Sequence, residues 1–155
     1  AHAYVFCDID NFPDLRQWMT EAGWDVFRTP LIWHNTSGFR TPWVESGPQR
    51  RYETILFAKK GNRPVTKVYG DVITIAREAG VEYAAQKPVD LYIDLLRRSA
   101  RPGDLVLDPF SGSGTIFPAA HQLKCSATGI ELDANAYGIG VKMIEALKAQ
   151  GELKV

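Results

Sequence analysis

The sequence predicts an α/β protein with a mostly parallel sheet, and two observations lead to this class. Short apolar runs alternate with segments in which apolar residues recur every three or four positions, and strands separated by helices are typical of parallel sheets. In addition, the stretch DLVLDPFSGSGT at 104–115 joins a strand to a helix through a Gly-Ser-Gly turn. Open α/β sheets bind ligands at such turns.

The first half of the chain predicts three strands and one helix. The strands lie at 3–7, 25–35 and 52–61, and Pro30 weakens the second of them. Residues 35–50 are rich in Gly, Pro and Ser and predict a long loop, whereas 70–76 fit either a strand or a loop. A helix follows the first strand, and its predicted buried face consists of Leu15, Trp18, Met19 and Ala22.

The second half alternates more regularly. A helix begins at Pro88, and a short buried strand follows at 104–108. The glycine turn leads into a second helix, a strand at 126–132 comes next, and Asp133 caps a last helix. The apolar face of the first helix is predicted to consist of Val89, Tyr92, Ile93 and Leu96, and that of the second of Ile116, Ala119, Ala120 and Leu123.

The composition is that of an ordinary globular domain. Of the 155 residues, 45% are hydrophobic and 23% are charged. No apolar run is long enough to cross a bilayer, so we predict no membrane partner. The two cysteines and three histidines lack metal-ligand spacing, so we predict no metal site and a cytoplasmic location.

The formal net charge of zero conceals a basic central segment. Residues 28–68 contain eight Lys or Arg and two Asp or Glu, a net charge of +6, whereas residues 1–27 have a net charge of −4. A local positive charge favours an anionic partner, and the alternative is a solvated polar surface.

The glycine turn predicts a ligand without phosphate groups. It lacks the Gly-Lys-Ser/Thr of a phosphate-binding loop, and Phe117 stands where a dinucleotide-binding turn has its third glycine. No Lys or Arg occurs at 102–122. Asp108, at the end of the strand, would repel a phosphate and attract a cation.

A second acidic residue indicates a nucleoside. Glu131 ends the next strand, nineteen residues after Gly112. An acidic residue at this place accepts hydrogen bonds from ribose hydroxyls in nucleotide-binding α/β units, and Asp133 is the alternative candidate. S-adenosylmethionine fits both features because it has a ribose, an ammonium group and a sulfonium, but no phosphate.

Three motifs resemble those of DNA methyltransferases that modify exocyclic amino groups, at N6 of adenine or N4 of cytosine. DPFSGSGT at 108–115 is similar to their motif I, GIELD at 129–133 to motif II, and KP at 87–88 to motif X. The motif order, together with AYVFCD, PLIWHN and RRYETILFAKKG in the first half, resembles the permuted β group.

The resemblance implies a Rossmann-like, S-adenosylmethionine-dependent methyltransferase sandwich, with residues 1–155 forming one such domain or a fragment of it. Residues 1–61 would correspond to motifs V to VIII, 62–86 to a connecting segment and 87–155 to the cofactor-binding part.

The resemblance also implies the residues of the cofactor site. They are Lys87, Pro88, Asp108, Phe110, Gly112, Gly114, Thr115, Glu131 and Asp133. Alternative roles stay open for some of them: Phe110 as a core residue, Thr115 or Asp133 as a helix cap, and Lys87 as a solvated side chain.

The chain departs from the family in its catalytic motif. That motif has the form Asp/Asn/Ser-Pro-Pro-aromatic, and no Pro-Pro pair occurs in the 155 residues, so we assign no catalytic residue. The resemblance puts the missing motif just before the strand at 3–7 and the missing strand in the middle of the sheet. We therefore expect an incomplete sheet, completed by an upstream segment or another chain, and no activity of this chain by itself.

Double-stranded DNA is the partner that the resemblance implies, as in restriction–modification methylation. The candidates for DNA contact are Arg40, Trp43, Arg50 and Arg51, because arginine neutralises phosphates and tryptophan can stack on a base. Trp33 is predicted to be a core residue instead.

Two other classes of function compete with a methyltransferase. Because the catalytic motif is absent, one is a non-catalytic module that binds the cofactor or a protein partner. The other is a nucleotide-dependent oxidoreductase, which Asp108 and Phe117 disfavour.

Overall fold

The chain divides into two compact units, Ala1–Arg77 and Glu78–Val155. A computed structural model describes residues 1–37, 45, 47–83 and 85–149. Within these residues, no helix is long and apolar enough to cross a membrane.

The first unit is built on a five-stranded sheet. Its elements are β1 (His2–Cys7), a 3-10 turn (Ile9–Asn11), α1 (Phe12–Glu21), β2 (Asp25–Val26), β3 (Leu31–His34), β4 (Tyr52–Lys59) and β5 (Val72–Thr74). The strand order is β1-β4-β3-β5, with β2 also paired to β4. Strand β4 is antiparallel to β1, β2 and β3, whereas β3 and β5 are parallel.

Strand β4 carries the core of this unit. Ile55, Leu56 and Ala58 are fully buried, and Phe12 of α1 packs against the latter two. Trp33 is fully buried as well, and its indole Nε1 donates to the Ile75 carbonyl at 2.9 Å. A buried indole with a satisfied N–H is a stable core residue, so the predicted core role of Trp33 is confirmed.

The described part of the second unit contains three helices and a two-stranded parallel sheet. The elements are α2 (Val89–Ser99), β6 (Leu105–Asp108), α3 (Ile116–Gln122), β7 (Ser126–Gly129) and α4 (Ala134–Ala149). β6 and β7 pair in register from Leu105↔Ser126 to Asp108↔Gly129. Helix α3 contacts α2, β7 and α4 and buries Ile116, Ala119 and Ala120, as predicted.

The predicted α/β class and the incomplete sheet are confirmed, but the described strands are partly rather than mostly parallel. They form two sheets, and three of their five pairings are antiparallel. The antiparallel pairings all involve β4. Parallel neighbours need a crossover connection, and no described helix lies between β2 and β4.

Several predicted faces and bounds were wrong in detail. Pro30 divides the predicted strand at 25–35 into β2 and β3. Trp18 is 61% exposed, and the alternating Leu105 and Leu107 of the supposedly buried strand β6 are 75% and 62% exposed. The buried residues of α2 are Leu91, Ile93, Leu95 and Arg98, so its core face is turned relative to the predicted one.

The turn between β6 and α3 passes so close to α4 that it requires glycine. A Cβ on Gly114 would lie 2.9 Å from Gly140 Cα and 3.1 Å from a Phe117 ring carbon, and Gly114 has φ +83°. Gly138, also on α4, has a negative φ and nothing within 4 Å of such a Cβ.

We expect Gly114→Ala to lower the free energy of unfolding by about 2–4 kcal/mol, since left-handed strain and overpacking add. Gly138→Ala should instead raise it by about 0.5–1 kcal/mol, because alanine restricts the unfolded chain at a compatible helical position. Urea unfolding of both variants measures the two effects. Equal effects would contradict the close approach of the turn to α4.

Candidate functional site

The end of β6 and the turn that follows it form the first candidate site. The turn is tight because Gly112 and Gly114 both have positive φ, +53° and +83°. Within it, the Gly114 N–H donates to the Ser111 carbonyl at 2.8 Å, and the Phe117 N–H donates to the Gly114 carbonyl at 3.0 Å. Three polar residues of this segment are buried, and their burial restricts the conformation of the turn; they are Ser111, Ser113 and Thr115.

The Glu131 carboxylate holds the turn from the side of β7. Its Oε2 accepts a hydrogen bond from the Gly112 N–H at 2.7 Å, and its Oε1 accepts from the N–H groups of Leu132 and Asp133, both at 2.9 Å. The hydrogen bonds from Asp133 and Gly112 lower the pKa of Glu131 below its usual range. Glu131 is therefore ionised at neutral pH and joins the two strand ends of this unit.

The Asp108 carboxylate lies at the end of β6 with one oxygen unsatisfied. Its Oδ1 accepts from the Phe110 N–H at 3.1 Å, whereas Oδ2 is buried and no described group, the nearby Tyr92 hydroxyl included, meets hydrogen-bond geometry with it. Burial raises the pKa of Asp108; the Phe110 N–H and the Tyr92 hydroxyl oppose this shift, and the charge of Glu131 adds to it. An unsatisfied buried acceptor is costly, so this oxygen fits a ligand that supplies a donor or a positive charge.

The segment before α2 contacts the turn from another direction. The buried Ser113 hydroxyl donates to Gln86 Oε1 at 2.9 Å. A Cβ on Gly112 would lie 3.4 Å from a Tyr83 ring carbon, so the ring rests against the turn. Lys87 and Pro88 follow Gln86 directly, and Pro88 is the N-cap residue of α2.

The structure brings most of the predicted cofactor residues together around this turn. Phe110 is 84% exposed at its surface, so its alternative role as a core residue is wrong. Thr115 precedes α3 but makes no side-chain capping bond. Asp133 does cap α4, because its Oδ1 accepts from the Ala136 N–H at 2.8 Å.

Two residues near the turn were missed from the sequence. Tyr92 was assigned to the apolar face of α2, yet its hydroxyl interacts with Asp108, and burial together with that carboxylate raises the pKa of Tyr92. A tyrosine on an otherwise aliphatic face was the available signal. Gln86 stands next to Lys87 in sequence, and nothing in the pattern distinguished it from a surface residue.

A second candidate site is a cavity of about 460 Å³ in the first unit. Its walls come from the end of β1, the residue that follows β3 and the beginning of β4. Three arginines and two carboxylates contribute to its walls, which consist of Phe6, Cys7, Asp8, Asn35, Arg50, Arg51, Tyr52, Glu53 and Arg77. Such a lining suits a polar ligand with negative charge.

Ion pairs orient two of these arginines. Arg50 Nη1 lies 2.7 Å from Asp8 Oδ2, and this contact lowers the pKa of Asp8. Arg77 Nη2 lies 2.7 Å from Glu53 Oε1, and its guanidinium stands 5.5 Å from the centre of the Trp33 ring. Both predicted DNA-contact residues within the described chain, Arg50 and Arg51, thus line the cavity; Arg40 and Trp43 lie outside the described residues.

Asn35 joins the two chain segments that border the cavity. Its Oδ1 accepts from the N–H groups of Ser37, at 3.2 Å, and Arg77, at 3.1 Å. The Ser37 hydroxyl donates to the Arg77 carbonyl at 3.2 Å. The position of the Arg77 backbone therefore depends on the start of the loop after β3.

Comparison with known proteins finds similarity to DNA methyltransferases in sequence and in fold. Residues 74–142 match a family model described as DNA methylase. The type II methyltransferase M.Cfr9I of Citrobacter freundii is 26% identical over 147 residues, which cover 82% of this chain and 47% of the relative. M.HpaI of Haemophilus parainfluenzae is 41% identical over 51 residues, 33% of this chain and 16% of the relative. The chain thus spans less than half the length of each.

Solved structures share the fold. The M1.HpyAVI–SAM complex superimposes with a TM-score of 0.80 and 23% identity, over 93% of this chain and 74% of that one. The cytosine-N4-specific PvuII DNA methyltransferase gives 0.70 and 19%, over 86% and 56%. The resemblance predicted from the motifs is confirmed: in the sequence of residues 74–142 and in its fold, this chain is similar to the amino-group DNA methyltransferases.

Proposed function

We propose that the second unit binds S-adenosylmethionine and that the complete protein transfers its methyl group to an exocyclic amine of DNA, at adenine N6 or cytosine N4. The observation that carries this proposal is the buried, unsatisfied Oδ2 of Asp108 beside a glycine turn without a basic residue. A phosphate-bearing cofactor would meet two carboxylates there, whereas an ammonium or sulfonium is attracted by them. The similarity to DNA methyltransferases supports a methyltransferase with this cofactor, rather than a non-catalytic module that binds the cofactor or a protein.

Three of the predicted residues have distinct roles in this proposal, and the others border the pocket. Asp108 accepts a hydrogen bond from the ammonium group, and the exposed Phe110 ring gives an apolar contact. Glu131 is the ribose acceptor, and its capacity is limited: a carboxylate has about four acceptor sites, and three backbone N–H groups already use three of them. One site on Oε2 is left for a hydroxyl. Lys87, Pro88, Gly114 and Thr115 border the same pocket, and Asp133 adjoins Glu131.

When bound, the cofactor would supply an electrophilic methyl group that an amine attacks, and its sulfur would leave as a thioether. The residues of this chain bind and orient; none of them matches the Pro-Pro motif that would hold the amine in line. We therefore propose that a segment outside these 155 residues supplies the catalytic motif and the strand that completes the sheet.

The cavity of the first unit is the proposed DNA-facing site. Its three arginines suit a backbone phosphate or a polar base edge. Arg40, Arg50 and Arg51 are the proposed phosphate contacts, and Trp43 of the central basic segment is proposed to stack on a base.

Binding of S-adenosylmethionine should occur with a micromolar Kd, whereas NAD should give no heat in a titration calorimeter. Asp108→Asn should weaken the binding by about 1.5–3 kcal/mol, roughly 10- to 150-fold in Kd, because a charge-assisted hydrogen bond is lost. Without cofactor, the same variant should be more stable than the parent at pH 7. Burial raises the folded-state pKa of Asp108 above 3.8, so the charged form costs stability as pH rises through that pKa.

The stability difference should disappear below about pH 4, where both states bind the proton. Glu145→Gln, an exposed carboxylate-to-amide change on α4, is the matched control and should alter neither quantity. Tight NAD binding, or an Asp108→Asn protein that binds as well as the parent, would refute the proposed site.

DNA affinity should depend on salt through the basic segment. Arg40→Ala and Arg51→Ala should each reduce the slope of log K against log salt concentration by about one unit, the loss of one phosphate contact. Arg50→Ala should do the same if its guanidinium leaves Asp8 for a phosphate, and Asp8→Asn should then strengthen DNA binding. Fluorescence anisotropy at several salt concentrations measures the slopes. Unchanged slopes in all three arginine variants would assign these residues to a solvated surface.

The 155-residue chain by itself should not methylate DNA even when it binds cofactor. Positioning of two reactants contributes up to about 7–11 kcal/mol to barrier lowering, and the residues that position the amine are not in this sequence. Tritium transfer from labelled cofactor to mixed-sequence duplex DNA is the assay, with and without the upstream segment. We expect transfer only with that segment; transfer by the isolated chain would reveal catalytic residues of another kind.

A further inference from the structure

A series of three hydrogen bonds, two of them made by the Gln86 side chain, joins the glycine turn to the beginning of α2. The Ser113 hydroxyl donates to Gln86 Oε1 at 2.9 Å, and Gln86 Nε2 donates to Glu78 Oε2 at 3.4 Å. Glu78 Oε1 accepts from the Val89 N–H at 2.9 Å. All four residues belong to the second unit.

At both ends of this series, the described residues offer few other hydrogen-bond partners. Ser113 is 1% exposed, so its hydroxyl has no access to water if Gln86 is removed. At the other end, Pro88 provides no side-chain cap for α2. The Glu78 carboxylate takes that role from eleven residues away, and a negative charge at a helix N-terminus is favourable.

Gln86 is the middle member because it faces a donor on one side and an acceptor on the other. Its amide oxygen accepts from Ser113 and its amide nitrogen donates to Glu78, so neither Glu nor Met can make both bonds. Its backbone N–H also donates to the Tyr83 carbonyl at 2.9 Å, which fixes the direction of the side chain.

We propose that Gln86 is a positioning residue for the cofactor site: it fixes the glycine turn to the N-terminus of α2, where Lys87 and Pro88 stand. This inference rests on the proposed function, because its consequence is the affinity for S-adenosylmethionine. Gln86 touches the turn through Ser113 and acts on the ligand through the turn.

A double-mutant cycle tests the contact with Ser113. Gln86→Met and Ser113→Ala should each raise the Kd for S-adenosylmethionine roughly 2- to 10-fold, the worth of one neutral hydrogen bond. The double variant should be no weaker than the weaker single variant. Binding is measured well below the unfolding temperature, where a loss of stability alone leaves Kd unchanged. Fully additive effects would overturn the proposal.

An exchange of the two side chains tests the contact with Glu78. Gln86→Glu puts two carboxylates in contact and should weaken binding. In the combined Glu78→Gln, Gln86→Glu variant, an amide N–H at position 78 again faces a carboxylate, now at position 86. This variant should return the Kd to within about 2-fold of the parent. Gln122→Met, on the exposed end of α3, should leave the Kd unchanged. Failure of the exchanged pair to restore binding would overturn the proposal.

Hydrogen exchange gives a measurement that needs no cofactor. In Gln86→Met, the amide of Gly114, which follows Ser113 in the turn, and the amide of Val89, at the other end of the series, should both exchange faster than in the parent. Gln122→Met should change neither. Unchanged exchange at both amides would overturn the inference. If the parent does not bind S-adenosylmethionine, the proposed function is wrong, and hydrogen exchange alone then decides the role of Gln86.

Discussion

The second unit depends on how closely its backbone segments approach at the glycine turn. The turn must present N–H groups at the end of β6 and still pass α4 at Gly140 and β7 at Gly129. A Cβ on Gly129 would lie 2.8 Å from the Phe117 ring and 2.9 Å from the Ser111 side chain. Glycine at 114 and at 129 therefore allows this packed arrangement, and the Glu131 carboxylate fixes it by binding the Gly112 N–H.

This arrangement explains why an anion is retained where it costs stability. Asp108 is raised in pKa by burial and by Glu131, and only the Phe110 N–H and the Tyr92 hydroxyl compensate. An acceptor with an unused oxygen is unfavourable without a ligand and strongly favourable with a cationic one. Glu131 is the opposite case: its lowered pKa comes from three backbone donors, so its main task is to hold the turn and its remaining capacity is small. Two acidic residues at neighbouring strand ends thus have different roles, because three backbone N–H groups donate hydrogen bonds to Glu131 and only one donates to Asp108.

The sequence predicted the class, most elements and the turn, since these depend on local patterns. The strand–turn–helix at 104–115, the face of α3 and the Asp133 cap follow from residues close in sequence. The antiparallel insertion of β4 could not be predicted, because strand direction depends on contacts between residues far apart. The exposure of Leu105 and Leu107 was missed for a similar reason. The alternation of side chains along a strand defines two faces, but it does not tell which face other elements cover.

The candidate site was predictable to the same extent. Asp108, Gly112 and Glu131 could be named because charge and glycine content restrict what a turn can bind. Tyr92 and Gln86 could not, since their roles depend on a side chain reaching a partner 16 or 27 residues away.

The arginines of the first unit follow a related electrostatic logic. Arg50 and Arg77 are each paired with a carboxylate on the cavity wall, Asp8 and Glu53. The exposed Arg50–Asp8 pair contributes little to stability, but each pair holds a guanidinium in a defined direction and makes it less available to other anions. For the proposed DNA contacts, a phosphate would have to replace the carboxylate, so only a phosphate that makes further contacts in the cavity would gain net affinity. Pairing of Arg50 would therefore lower the non-specific attraction of the basic segment at 28–68 and make DNA binding depend on the shape of the partner.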